Sequence, residues 1–379
     1  MGEEDRAPRV LILAGEASGD HHGARVVEEV RARRPEVEWV GLGGPELASL
    51  GVETWAGLDR LAVMGFVEVI RHLGFFRGLE KRAVESLDSG EIDLVLAVDY
   101  PGFNLRIARK AHERGVPVLF YIAPQVWAWK AHRAKQLAEY ANRIAVILPF
   151  EPPIFEEEGG NVEFVGHPLA EQPSPDRTPA QLRQELGIAA EAPLLALLPG
   201  SRSQELDRHL DAFVDAAARL RARHEDLVPV LAAAPGVDAG RFVGTGLPVT
   251  SHTRALLHTS RAAIVKSGTS TLEAALAGVP FVMAYRTSFL TWTLAKRLVQ
   301  VDHVALANLV ADRRVVPELL QGDVTGERLA EEVEPLLHDG EARSTMIEGL
   351  ARIRKRLGGP GASERVAEMT LELLDEAGR

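Results

Sequence analysis

"GHPLAEQPSPDRTPAQ", Gly166 to Gln181, carries prolines at 168, 173, 175 and 179 among mostly polar residues and reads as a linker. Its position decides the fold, because the same rhythm stands on either side of it. Before it, short β-rich runs at Val10–Leu13, Val37–Leu42, Asp93–Val98, Val116–Ile122, Arg143–Leu148 and Val162–Val165 alternate with helical patterns that include Gly19–Arg33, Asn104–Arg114 and Ala131–Tyr140. After it the rhythm restarts with Leu194–Leu198, Val228–Ala232, Ala262–Val265 and Phe281–Tyr285. Strands alternating with helices predict a parallel sheet covered on both faces. Interrupted once, the pattern predicts an α/β chain of two Rossmann-like domains, 1–170 and 171–359, facing each other across a cleft. Gly326 to Glu376 reads as consecutive helices, the last of which, about 360–379, packs back on the first domain. A length of 379 residues also exceeds what one hydrophobic core commonly serves.

Composition narrows the class. With 46% hydrophobic and 26% charged residues the chain is ordinary globular protein. No cysteine is present, which excludes disulfides and thiolate metal sites and suits a reducing compartment. The opening "MGEEDRAPRV" is acidic and lacks the pattern of a secretory signal. The longest apolar run, Val116 to Trp129, falls short of the ~20 residues of a spanning helix and contains Pro117 and Pro124. These features predict a cytoplasmic location. A formal charge of −11 argues against a nucleic-acid partner.

Three strand-to-helix turns have the character of anion sites. In "LAGEASGDHHG", Leu13 to Gly23, the glycines at 15, 19 and 23 do not follow the G-x-G-x-x-G of a dinucleotide fold. Ser18 is a helix cap or a ligand contact, while Glu16 and Asp20 would sit at the mouth of the sheet, where ligands bind. In "LLALLPGSRSQE", Ser201 and Arg202 follow a buried strand, and arginine there can bridge two phosphate oxygens. In "IVKSGTSTLEAALAGVPFVMAYR", Ser267, Gly268, Thr269 and Ser270 open a helix whose dipole favours a diphosphate, with Glu273 placed to accept from ribose hydroxyls. Adjacent His21 and His22 diverge on a helix, and no D-x-D triplet is present, so neither pattern supports a metal.

"MGFVEVIRHLGFFRG", Met64 to Gly78, is apolar on nearly every side. As a helix, Phe66, Val69, Ile70, Leu73 and Phe76 form one core-facing stripe. Phe75 and Leu79 fall opposite, beside Arg71, Arg77, Lys81 and Arg82. That mixture predicts contact with an anionic membrane surface, the alternative being a helix buried on both sides.

"SGTSTLEAALAGVP" followed by "MAYR" resembles the nucleotide-binding segment of GT-B-type glycosyltransferases. The set "AGEASGD", "LAVMGFVEV", "VDYPGFNL", "APQVWAWK", "LPGSRSQE", "SGTSTLEAALAGVP", "AKRLV" and "NLVA" resembles, in order and over nearly the whole chain, the lipid-A-disaccharide synthases. The resemblance implies an inverting glycosyltransferase without cofactor. It would move 2,3-diacylglucosamine from its UDP derivative to the 6-hydroxyl of 2,3-diacylglucosamine 1-phosphate, forming a β-1,6 disaccharide at the cytoplasmic face of the inner membrane. Oligomeric state stays open, a homodimer included.

Read with that chemistry, Asp99 at the end of "DLVLAVD" is the candidate general base, the alternative being a cap for the helix that follows "YPGFN". Glu16 and Asp20 stand in reserve. Arg202 and the helix opening at Thr269 would meet the leaving UDP in place of a metal. Asn308, in "ALANLVA", matches a family position at the donor site. In "APQVWAWKAHRAKQ", Trp127, Lys130 and Arg133 would form a rim for the acceptor phosphate, the alternative being tryptophans in the core. His167 reads as a structural histidine. Alternatives in function are another GT-B N-acetylglucosaminyltransferase, a UDP-sugar epimerase, or a non-catalytic nucleotide or lipid sensor.

Overall fold

The computed structural model describes residues 6–61, 66–127, 132–288, 292–293 and 302–378, with only the backbone at 59, 66–73 and 239. It divides into two compact units. The first comprises Met1–Glu171 with Gly359–Arg379, and the second Gln172–Gly358.

The first unit contains β1 (Arg9–Ala14), β2 (Glu38–Leu42), β3 (Glu53–Thr54), β4 (Leu94–Val98), β5 (Val118–Tyr121), β6 (Arg143–Val146) and β7 (Val162–Phe164). They form one parallel sheet in the order β3-β2-β1-β4-β5-β6-β7, with Val10 opposite Leu94 and Ala14 opposite Val98. The alternation of β1 shows why its run is continuously apolar. Val10, Ile12 and Ala14 face a core completed by Val27 and Val30 of helix Ala17–Arg33 and by Val366 and Leu373 of helix Ala362–Glu376. Leu11 and Leu13 face the opposite core, with Leu79, Ala83, Phe103 and Ile107. Salt bridges from Arg33 to Glu364, Arg34 to Asp375 and Arg143 to Glu372 line the edge of the returning helix.

The second unit repeats the plan with β8 (Leu194–Leu198), β9 (Val228–Ala232), β10 (Val249–Thr250), β11 (Ala262–Lys266), β12 (Phe281–Tyr285) and β13 (Glu318–Leu320), in the order β10-β9-β8-β11-β12-β13. In each sheet the strand order reverses once, between β1 and β4 and between β8 and β11. At such a switch point, successive helices cover opposite faces and a crevice opens at the carboxyl ends of the strands. The turns after β1, β4, β8 and β11 carry Glu16, Asp99, Arg202 and Thr269.

Helix Phe66–Asp88 departs from expectation. Leu79 is 7% exposed and packs with Ala83 and Leu87 in the core, and Phe75 lies half-buried against them. The i, i+4 ladder of 75, 79, 83 and 87 is therefore the side turned to the sheet. Arg60 covers the Phe75 ring at 4.2 Å; Arg82 lies 4.7 Å over Trp55 and pairs with Glu53 at 2.9 Å. Leu79 thus serves the core rather than a membrane contact, while Phe75 and Arg82 have intramolecular partners and stay partly exposed. Arg77 is exposed, and Lys81 pairs with Glu85 at 3.5 Å. The expectations for Phe66, Val69, Ile70, Arg71 and Leu73 lie outside the residues whose side chains are described. Leu79→Ala is expected to destabilise the protein by ~2–5 kcal/mol, measured by urea unfolding. Vesicle partition per folded molecule should not change.

Candidate active site

In the first unit the site is built around a strained turn. Asp99 and Tyr100 both adopt left-handed backbone, at φ 48 and 49°, directly before Pro101 opens helix Pro101–His112. Such angles cost a non-glycine residue ~1–3 kcal/mol and persist where surrounding bonds enforce them. Here the fully buried Asn104 enforces them: its Nδ2 reaches the carbonyls of Leu13 at 3.0 Å and Asp99 at 2.7 Å, tying the end of β1 to the turn after β4. The Asp99 N–H donates to Tyr121 O at 2.9 Å. Tyr100 lies over Gly15, where any side chain would be driven into its ring, and donates to Leu61 O at 3.1 Å.

Asp99 lines a pocket of about 210 Å³ together with Pro101, Ile122, Gln125, Val126 and Arg133. Burial, and then the charge of Glu16, push its carboxyl up to about 6, against a smaller opposing effect of the Tyr100 N–H. A carboxylate so placed is ionised at neutral pH yet basic enough to accept a proton. The turn N-caps nothing with its side chain: Tyr100 occupies the cap position, so Asp99 is not the helix cap.

Glu16 and Asp20 part company. Glu16 is exposed at the N-cap position of helix Ala17–Arg33, and Ser18, exposed one turn-position inside, is not the cap. Asp20 is 2% exposed, and its two oxygens accept from the N–H groups of Gly44 at 2.7 Å, Glu46 at 3.0 Å and Leu47 at 3.2 Å. Those bonds cap helix Pro45–Ser49 and leave Asp20 unsuited to act as a base. Burial lowers His22 and His167 to about 4, so both rings are neutral, and His167 Nδ1 accepts from Leu169 N–H at 3.1 Å.

The rim segment is partly described. Arg133 lines the Asp99 pocket, while Lys130 and Trp129 lie outside the described residues. Trp127 is half-buried, edge-on to Phe150 with ring centres 5.3 Å apart, and its indole donates to Glu151 Oε1 at 3.2 Å. Glu151 is 1% exposed and also accepts from Leu148 N–H at 2.9 Å; burial pushes it up to about 7 despite these donors. Nothing in the sequence pattern distinguishes Glu151 from a surface acid.

In the second unit a pocket of about 490 Å³ is lined by Gly200, Ser201, His252, Arg254, Ser270 and Glu273 among others. Gly200 sits at φ 136°, where a Cβ would collide with Glu205. Glu205 holds the turn, accepting from Ser201 N–H at 2.9 Å and Lys266 Nζ at 2.7 Å. Burial alone would raise this carboxyl, but the Lys266 and Ser201 donors hold it below the usual range. Arg202 is mostly exposed and, among the described residues, meets only Glu205, at 3.9 Å, which leaves its guanidinium available to a ligand.

Helix Ser270–Ala277 begins with Thr269 at the cap position and no side-chain cap bond. Gly268 precedes it, and Ser267 Oγ donates to Val304 O at 3.3 Å. Burial raises Glu273, moderated by Ser270 and the Arg254 charge. Asn308 has a different role from the one expected. Fully buried, it donates to Val316 O at 3.0 Å and Glu318 Oε1 at 2.8 Å, and accepts from Val315 N–H at 2.8 Å and Val316 N–H at 2.9 Å. With its amide so engaged, it braces the chain and has no bond left for a phosphate or sugar. Sequence reading missed Arg254 in this pocket, Lys266 beneath the turn and Asn104 in the first unit. Asn104 and Lys266 stood within the quoted "YPGFN" and "IVKSGTSTLEA", whereas Arg254 lay in no quoted motif.

Comparison with known proteins gives one answer. A family model described as lipid-A-disaccharide synthetase matches residues 10–365. The chain is similar to the lipid-A-disaccharide synthase of Myxococcus xanthus, 44% identical with 97% of this chain and 98% of that protein covered. It is similarly related to the synthase of Acidobacterium capsulatum, 40% identical with 97% of each covered. Among solved structures, the calicheamicin glycosyltransferase CalG4 matches with a TM-score of 0.60 at 19% identity over 98% of this chain and 99% of that one. The UDP-GlcNAc 2-epimerase of Neisseria meningitidis, bound to UDP-GlcNAc, matches with a TM-score of 0.63 at 11% identity over 96% and 100%. These likenesses establish the two-Rossmann GT-B fold.

Proposed function

The chain belongs to the lipid-A-disaccharide synthase family, and from that premise we propose how its residues carry out the reaction. It is a glycosyltransferase of lipid A disaccharide synthesis. In the proposed reaction, the first unit takes the acceptor, 2,3-diacylglucosamine 1-phosphate, and the second takes the UDP-linked donor. Asp99 removes the proton of the acceptor 6-hydroxyl as its oxygen attacks the anomeric carbon from the face opposite UDP. The bond from that carbon to the diphosphate breaks, its electron pair leaving on UDP. Arg202 and the N-terminus of helix Ser270–Ala277 stabilise the departing charge. Glu273 accepts from the ribose hydroxyls, and Arg133 meets the acceptor phosphate.

The observation that carries this reading is Asp99, held by strained backbone in a pocket and tuned to about 6. Because both substrates carry acyl chains, drawing them wholly into water would cost ~0.8 kcal/mol per exposed CH₂, which favours work at a membrane surface. No helix among the described residues is long and apolar enough to cross one. The test is to supply UDP-diacylglucosamine and acceptor in anionic vesicles, without added metal, and follow UDP release, tetra-acyl disaccharide formation and co-sedimentation of the protein. Absence of disaccharide would overturn the reading. UDP affinity measured by calorimetry should fall about 10- to 100-fold in both Arg202→Ala and Glu273→Ala, each losing a charge-assisted bond of ~1.5–3 kcal/mol. Arg202→Lys should recover only part, since it keeps the charge without the fork.

A further inference from the structure

Away from the candidate active site, His224, Glu334 and His338 bring two imidazoles and a carboxylate together, with ligand atoms all within 4.8 Å of one another. We propose that these three residues form a structural divalent-metal site, suited to zinc, that ties helix Ser203–Arg221 to helix Gly326–Leu337.

The positions are fixed by backbone. His224 follows the first helix, with its N–H bonded to Leu220 O at 2.9 Å and its carbonyl accepting from Leu227 N–H at 3.1 Å. Glu334 lies in the last turn of the second helix, and His338 is its C-cap residue, with extended backbone at φ −109° and ψ 156°. His224 Nε2 and Glu334 Oε1 already lie 2.5 Å apart, and the two imidazole rings have centres 5.0 Å apart. Around a tetrahedral zinc with bonds of ~2.0–2.1 Å, ligand atoms stand roughly 3.3 Å apart. To take up that spacing the His338 ring, which is exposed, must turn and the His224–Glu334 pair must open slightly.

The second carboxylate oxygen has its own partner. Arg223 donates to Glu334 Oε2 at 2.9 Å, leaving Oε1 directed at His224. An outer hydrogen bond of this kind orients a ligating carboxylate. Two nitrogens and one oxygen suit zinc and its neighbours better than magnesium or calcium, which take oxygen ligands. The site lies where helix Ser203–Arg221 ends and the chain turns back to begin β9, at the amino ends of the strands, away from the turns that carry Arg202 and Thr269. A metal there acts on stability.

The test uses the full chain, stripped with chelator and titrated with Zn²⁺ alone by calorimetry and thermal denaturation, and with Co²⁺ by visible absorption. One zinc per chain with Kd below about 10 μM, a raised Tm and a tetrahedral Co²⁺ spectrum is the expected result. His338→Ala, an exposed change with little risk to folding, and Glu334→Gln should each weaken binding at least about tenfold. No zinc binding at 100 μM would overturn the proposal and leave a plain His–Glu pair. Unchanged affinity in His338→Ala would overturn it equally, by placing the metal elsewhere.

Discussion

Asp99→Asn is expected to lower kcat by ~10²–10⁴-fold, the usual contribution of a positioned base, while UDP affinity stays as it was. The amide keeps the size and turn geometry of the carboxyl but takes up no proton. UDP binding is unaffected because its proposed contacts belong to the second unit. In the wild type, kcat/KM should rise with pH through a midpoint at about 6, where Asp99 ionises, and this limb should vanish in the variant. The stability effect has the opposite sense. A carboxyl raised by burial stabilises the folded state only while protonated, and that contribution is lost as pH rises through about 6. Asparagine has no charge to bury, so the variant should be at least as thermostable as wild type at pH 8 and lose that advantage near pH 4. If Asp99→Asn retains more than about a tenth of kcat, less than ~1.4 kcal/mol of barrier was involved and another group is the base.

Asn308→Ala is expected to act on folding instead. Truncation removes four hydrogen bonds at a fully buried position. It leaves the N–H groups of Val315 and Val316 without acceptors, and takes a donor from Glu318, which also accepts from Val304 and Ala305 N–H. At ~1–3 kcal/mol for each buried group left unpaired, the total loss should reach about 3–5 kcal/mol. Chemical denaturation should show the earlier midpoint, and the molecules that remain folded should bind UDP normally. A stable variant with UDP affinity reduced tenfold or more would restore Asn308 to the donor site.

The sheets were legible because strands buried on both faces must be apolar throughout, and runs such as "VLILA" and "LLALL" carry that requirement openly. β3 and β10 were not, since two residues are too few to establish a period, and neither was β13, whose three residues begin with the charged Glu318. Helix Phe66–Asp88 misled for another reason: apolar residues on more than one side leave its rotation undetermined until the sheet selects one ladder. The turns were legible through glycine, and Asp99 through the apolar strand that ends on it. What sequence could not reveal was the partner of each polar side chain. Asp20 and Asn308 look like ligands in one dimension; three amides and a buried network show them to be braces. Glu151 and Lys266 look like solvent-facing charges, yet one is enclosed beneath Trp127 and the other anchors the Ser201 turn through Glu205.

Helix Ala362–Glu376 supplies Val366, Met369, Leu373 and Leu374 to the core on one face of the first sheet. A ribosome delivers that helix after both sheets. Until it emerges, Val10, Ile12, Leu94 and Leu96 lack part of their cover, although the strands bearing them were made hundreds of residues earlier. The second unit, one uninterrupted stretch from Gln172 to Gly358, has all its pieces beforehand. Maturation should therefore run against the order of synthesis, the unit translated second closing first. The early strands meanwhile keep an apolar face open to water.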